Sequence, residues 1–236
     1  MGLLVSEKDI VIPGQIIADG MDYLPAMNTY RGENNIISTR VGLIRVVGRS
    51  IKVIPLSGRY IPKAGDTVIG RITAMSTASW FVDIGYASEA GISLKDATSE
   101  FIERGADLSQ YFDFDELVVA KITNVTKTRL IDLTVKGPGL RKLVGGRIVK
   151  ITSTKVPRVI GKQGSMISVI KNATNTRIIV GQNGWVWISG ESPEEIQRAA
   201  DAIQMIEREA HTEGLTDKVE KFLGGKKNDS NIQEEN

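Results

Sequence analysis

At 236 residues the chain can make one large domain or two to three small ones in series, and 41% hydrophobic with 25% charged residues is the composition of a folded globular protein. Zero Cys excludes disulfides, thiol catalysis, iron–sulfur clusters and Cys-ligated zinc, and the single His211 leaves no His pair for a metal or a catalytic dyad. The net charge of +2 hides a block, residues 136–190, with ten basic and no acidic side chains.

Glu7 and Asp9 fall where a signal peptide would be apolar, and no later run approaches the ~18 apolar residues of a membrane span, so a cytoplasmic chain is expected. Residues 1–62 predict an all-β domain with short strands at Ile10–Ile12, Gln15–Ala18, Ile36–Ser38, Val41–Val47 and Ser50–Pro55. Pro13–Gly14, Asp19–Gly20 and Arg31–Gly32 supply the turns, and Pro62 and Gly65 punctuate the boundary.

Residues 63–136 predict a second all-β unit, with strands Thr67–Ala74, Ala78–Gly85, Glu89–Ser93, Leu117–Val125 and Arg129–Lys136. A polar, part-helical stretch, Lys95–Asp115, separates the third from the fourth, which is the pattern of an OB-type barrel. Residues 63–135 hold seven basic and eleven acidic residues, which argues against strong binding of a polyanion by this unit alone. Alternation places Trp80 in the barrel core and Phe81 on the opposite face. Lys136–Gly139 reads as a hinge.

Residues 137–223 change character to α+β. A strand at Arg147–Ser153 leads to a short segment, Lys155–Ile160, then Gly161-Lys-Gln-Gly164 and a helix at Ser165–Thr174. Strands Arg177–Val180 and Trp185–Ile188 flank Asn183–Gly184, a hairpin signal. A helix over Ser192–Glu209 has Ser192 as cap, Pro193 in its first turn and Glu195 to complete a capping box. His211 lies just past its end, where a cation suits the dipole. The tail, residues 224–236, has too few hydrophobic residues to fold.

The acid-free block is an electrostatic footprint for a polyanion, most often nucleic acid. Within it, Gly161–Gly164 lies between a basic segment, Lys155 and Arg158, and a helix start. Glycines there admit a nucleic-acid backbone, the first N–H groups of the helix face a phosphate, and Lys162 puts a cation at the loop tip. The second GxxG, Gly181–Gly184, sits between two strands and reads as a structural turn.

The order β-α-α-β-β-α with a GxxG loop resembles a KH domain of the type I order, which implies that Gly161, Lys162, Gln163 and Gly164 clamp about four nucleotides of single-stranded RNA, with Lys155 and Arg158 beside them. The barrel resembles an S1 domain through Gly65–Ile72, Ser79–Gly85 and Glu89–Leu94. That family shows three exposed stacking residues. Phe81 matches one; the other two fall at Ala78 and Leu94, so the expected contribution shifts to Lys127 and Arg129 on the loop before the last strand.

The whole, from Val11 to Lys221, resembles the RNA-binding cap subunits of the archaeal exosome, the ribosomal RNA-processing protein 4 family. The specific stretches are Val11-Ile-Pro-Gly14, Val53–Pro62 and Lys155–Met166, while Asp115–Glu116 departs from a more usual Gly-Asp pair. The resemblance implies a multidomain fold, mostly β then α+β, with an all-β ring-docking domain, an S1 barrel and a type I order KH domain. It further implies a subunit with no catalytic residue, metal or cofactor of its own. Three copies would sit on a hexameric ring of RNase PH-type proteins that degrades RNA phosphorolytically from the 3′ end.

Two alternatives stay open on the sequence. A transcription factor of the NusA type also orders S1 before KH, but carries two KH domains. A self-sufficient nuclease could in principle hold Mg²⁺ at Asp113, Asp115 and Glu116, but these residues read first as a solvated acidic loop. The zinc-ribbon type of exosome cap is excluded by the absence of Cys. Polynucleotide phosphorylase places KH before S1 and has a large catalytic core.

Overall fold

The computed structural model describes residues 2–98, 100, 102–103, 105–210, 212 and 214–224. The chain divides into two units, Met1–Gly58 and Arg59–Asn236. His211 and residues 225–236, for which a helix-end cation and an unfolded tail are expected, lie outside the described residues.

The first unit is made of strands β1 (Ile10–Val11), β2 (Ile16–Asp19), β3 (Leu24–Pro25), β4 (Thr29–Arg31), β5 (Asn35–Ser38), β6 (Gly42–Val47) and β7 (Ser50–Pro55). They form two sheets of order β1-β6-β7-β3 and β2-β5-β4. Alternation sends Val11, Ile44, Ile51 and Val53 of one sheet and Ile17, Ala18 and Ile36 of the other into a shared core. The five expected strands are present. β3 and β4 carry no periodic signal and are placed by tertiary bonds, with Thr29 Oγ1 donating to the Ile51 carbonyl at 3.0 Å and Asn28 Nδ2 to that of Val53 at 2.8 Å.

The second unit opens with β8 (Thr67–Met75), β9 (Ser79–Asp83), β10 (Ala90–Ser93), a one-turn helix α1 (Leu94–Ala97), β11 (Leu117–Val125), β12 (Ile131–Thr134) and β13 (Arg141–Leu143). The strand order β12-β10-β9-β8-β11 closes because β12 also pairs with β11, so the barrel keeps no free edge there. Trp80 is fully buried in it, lies edge-on to Tyr111 and Phe112, and donates from Nε1 to the Phe112 carbonyl at 3.0 Å. The insertion between β10 and β11 is thus pinned by the core. Trp80→Phe leaves that carbonyl unpaired and the space underfilled, and is expected to lower the free energy of unfolding by about 2 kcal/mol, read from the denaturant midpoint.

After β13 come β14 (Arg147–Lys150), α2 (Val156–Ile160), α3 (Ser165–Thr174), β15 (Arg177–Val180), β16 (Trp185–Ser189), α4 (Pro193–Arg208) and α5 (Leu215–Gly224). The antiparallel sheet β14-β16-β15 buries one face under the helices, around Val156, Ile170, Val186, Ala199 and Ile203. Ser192 caps α4 as expected, accepting from the Glu194 N–H at 3.2 Å. The residue that reaches back to the cap hydroxyl is Glu194, not Glu195, because the Glu194 carboxylate accepts directly from Ser192 Oγ. The segment Lys218–Phe222 belongs to α5, whose Val219 and Leu223 join the core.

The other face of this sheet is buried too. Trp185 and Trp187 form an apolar cluster with Ile69, Val119 and Leu143, the outward-facing residues of the barrel. Lys136–Gly139 is therefore no free hinge: β13 stays on the barrel, pairing Arg141 with Val119, and the two sheets share a core.

Candidate nucleic-acid interface

The loop Gly161–Gly164 joins α2 to α3, and its geometry separates the roles of its two glycines. Gly161, at φ +75°, faces the first turn of α3; a Cβ there would sit 2.6 Å from Met166 N and 2.7 Å from its Cβ. Gly161 is thus required by the packing of the chain itself, which its role in a ligand-binding loop alone does not explain. Gly164, at φ +82°, meets nothing nearer than Ile167 Cγ2 at 3.9 Å, so a bare backbone surface remains on that side. Between them Lys162 and Gln163 are exposed, Gln163 in the left-handed region at φ +54°.

The loop leads into the N-terminus of α3, the positive end of a ten-residue helix, where the Ser165 N–H already donates to the Lys162 carbonyl. Ile160 and Ile167, which flank the loop in the chain, and Val180 of β15 pack on the same core with part of each side chain open. Among the described residues the side chains of Lys155 and Lys162 have no hydrogen-bond or ion-pair partner. Arg158 differs: Nη2 donates to the Thr212 carbonyl at 2.7 Å, which draws it towards the α4–α5 connection.

On the barrel, Phe81 is 39% exposed on the outer face, opposite Gly91 of β10. Ala78 and Leu94 are neighbours, the Leu94 N–H donating to the Ala78 carbonyl at 3.3 Å, so aliphatic side chains occupy that end. Lys127 and Arg129 project from the β11–β12 loop, both exposed. The acidic segment does not converge: Asp115 pairs with Arg71 at 3.7 Å, while Glu116 holds Lys142 and accepts from the Asp113 N–H. Burial alone raises the Glu116 carboxyl, but the Lys142 hydrogen bond and the Asp113 N–H outweigh it and hold the group below its usual range. Among the described residues no cluster of three or more His, Cys, Asp or Glu is placed to hold a metal.

The second GxxG holds a residue that sequence reasoning passed over. Asn183 is 7% exposed; Nδ2 donates to the carbonyls of Ile69 at 2.7 Å and Ile84 at 2.9 Å, and Oδ1 accepts from the Ile69 N–H at 3.3 Å. The Gln182 N–H adds a bond to the Thr67 carbonyl at 2.8 Å. β9 ends at Asp83, so this edge of β8 lacks a strand partner from residue 69 back, and the hairpin loop takes its place. A signal existed: Val68-Ile69 and Val118-Val119-Ala120 are unbroken apolar runs, which a one-sided barrel strand does not need.

A closed barrel followed by a βααββα domain with a GxxG loop defines a protein of S1 and KH modules, and family models bear this out: the S1 domain of RRP4 matches residues 59–124 and the KH domain residues 146–205. The chain is 45% identical over 224 residues to the exosome complex component Rrp4 of Pyrococcus furiosus, covering 94% of this chain and 84% of that protein. It is equally 45% identical to Rrp4 of Thermococcus kodakarensis, covering 94% and 87%. A crystal structure described as a candidate exosome complex RNA-binding protein superposes with a TM-score of 0.66 at 36% identity, over 71% of this chain and 97% of that one. The chain belongs to the Rrp4 family of exosome complex components. That membership accounts for the S1-before-KH order without a NusA-type factor.

Proposed function

We propose that this chain is the non-catalytic cap subunit of an archaeal exosome, which captures single-stranded RNA and feeds its 3′ end to a phosphorolytic 3′-to-5′ exoribonuclease ring in the cytoplasm. The observation that carries the RNA half is the loop Gly161–Gly164 at the head of α3, whose Lys162 side chain has no hydrogen-bond or ion-pair partner among the described residues, in a block free of carboxylates. Lys155, Lys162 and Gln163 bind the backbone, Arg158 flanks them, and Phe81, Lys127 and Arg129 add contacts from the barrel. Three copies around one ring make individually weak sites sufficient, because contacts on one strand gain through effective concentration.

The docking half rests on the first unit. Register across β1, β6 and β7 aligns Ile10, Leu43 and Ile54 on the outer face, with Ile12 and Val41 beside them and Ile10 62% exposed. One step along, Arg45 lies directly opposite Lys52, a like-charged pair with no carboxylate on either among the described residues, which the sheet bears at a cost in isolation. An apolar row flanked by two cations fits a protein surface of RNase PH type that offers apolar side chains and carboxylates. Arg45→Glu with Lys52→Glu is expected to weaken assembly with the ring about 10-fold at low salt while RNA binding by the free chain is unchanged, by co-sedimentation.

The test of the whole is affinity purification from the native source, followed by decay of 3′-labelled and 5′-labelled RNA with and without phosphate. Phosphate-dependent shortening that co-purifies, with none by the isolated chain, supports the reading. Co-purification with RNA polymerase, or cleavage by the chain alone, overturns it.

A further inference from the structure

Two loops of the barrel are tied together through one residue. Arg129 sits at φ +66°, in a tight loop where the Thr126 N–H donates to the Leu130 carbonyl at 2.9 Å and the Arg129 N–H to the Thr126 carbonyl at 3.0 Å. Across the gap, Ser88 Oγ donates to the Arg129 carbonyl at 3.2 Å, and Arg129 Nη1 donates to the Tyr86 phenol oxygen at 3.0 Å. Both partners come from the β9–β10 loop and both are neutral.

That choice of partner matters in an acid-rich barrel. Of the carboxylates on these loops and strands, Asp83 accepts from the Gly85 N–H at 2.7 Å and Asp132 from Asn124 Nδ2 at 3.1 Å, while Glu89, next to Ser88, is exposed and makes no ion pair with Arg129 among the described residues. Among the described residues Arg129 has no carboxylate partner and is exposed. A guanidinium that donates once, to a phenol, keeps its full charge and four of its five N–H donors for a ligand. Left unheld, an exposed Arg loses much of its binding energy to the ordering of its own side chain.

The same β9–β10 loop is the one the second GxxG grips, since the Ile84 carbonyl accepts from Asn183 two residues before Tyr86. On the other side, Gly181 follows β15 directly, and Val180 at the end of that strand packs on the core that Ile160 and Ile167, flanking Gly161–Gly164 in the chain, also join. The Asn183 bonds therefore tie the barrel loop that carries Tyr86 to the hairpin that follows β15, a strand of the domain that carries the GxxG loop.

We propose that Tyr86 is a positioning residue for RNA: its phenol oxygen aims the Arg129 guanidinium at a backbone phosphate of the same strand that the GxxG loop holds, and the Asn183 clamp fixes the span between the two contacts. This rests on the RNA-binding reading of the GxxG loop, and the experiment keeps the two apart. Binding of fluorescent oligoadenylates of about four and about twelve nucleotides is measured by anisotropy over a salt series with the full chain, for Tyr86→Phe, Arg129→Gln and Lys162→Asp, with melting curves for each.

Tyr86→Phe keeps the ring that packs on the barrel and removes only the acceptor for Arg129. Both barrel variants are expected to lose about 5-fold in affinity for the long oligomer and nothing for the short one. Arg129→Gln should also lower the slope of log K against log salt by about 0.7, one phosphate contact. A purely structural Tyr86–Arg129 brace would instead shift the melting curve and leave the long oligomer bound as before; that result overturns the proposal, as does an equal loss for both lengths. Lys162→Asp weakening neither oligomer sinks the GxxG reading, whatever the barrel variants do.

Discussion

Replacing Lys162 and Gln163 together by Asp is expected to weaken binding of unstructured RNA about 30-fold at low salt, with the melting temperature unchanged to within about 2 °C. The two effects separate for structural reasons. Both side chains are exposed, so no packing is lost, and Asp tolerates the left-handed backbone at position 163, where φ is +54°. The substitutions also place carboxylates at the positive end of α3, which the helix itself tolerates or favours. A phosphate approaching the same N–H groups then meets two negative charges where it would have met one positive one, and the loss shrinks as salt screens them. Anisotropy titrations at two salt concentrations, paired with thermal melts, give both readings. Unchanged affinity with an intact fold would move the RNA site off this loop.

How much of this was legible depends on what each residue answers to. Strands such as Leu117–Val125 and helices such as Ser165–Thr174 and the one begun by Ser192 follow period and capping, which are local, and they stand where the sequence puts them. The GxxG loop was legible as a motif, yet the division of labour within it was not. Gly161 is demanded by Met166 five residues on, a contact that no reading of spacing reveals. β3, with Pro25 in it, and β13 exist because β7 and β11 offer an edge. The hinge expected at Lys136–Gly139 failed for the same reason: glycine and proline mark a turn, but whether the chain swings there is decided by Trp187 and Val119 meeting across it. Asn183–Gly184 was correctly read as a turn, and the turn's chemistry hid a second duty for the Asn side chain.

That duty sets up the other large expected effect. Asn183→Ala removes the donor to the Ile69 and Ile84 carbonyls and the acceptor for the Ile69 N–H, in a place that is 7% exposed, and should lower the free energy of unfolding by about 3 kcal/mol. Asn183→Asp should cost more near neutral pH. It keeps an acceptor for the Ile69 N–H but turns a carboxylate oxygen towards two carbonyl oxygens, with little water to screen them. Those surroundings raise the carboxyl's pKa in the folded state above its unfolded value, so the folded state binds more protons and the variant gains stability as the pH falls. Asn183→Ala shows no such gain, and the difference between the two curves isolates the donor from the packing. Faster exchange of the Ile69 amide in both variants would localise the damage to the β8 edge. The functional consequence follows from the geometry: with the clamp loosened, the KH domain and the barrel keep their own contacts to RNA but lose their fixed span, so affinity for a long oligomer falls towards that for a short one. If both variants melt as the parent does and bind the long oligomer as tightly, then the apolar contact of Ile69, Val119 and Leu143 with Trp185 and Trp187 holds the domains without the hairpin.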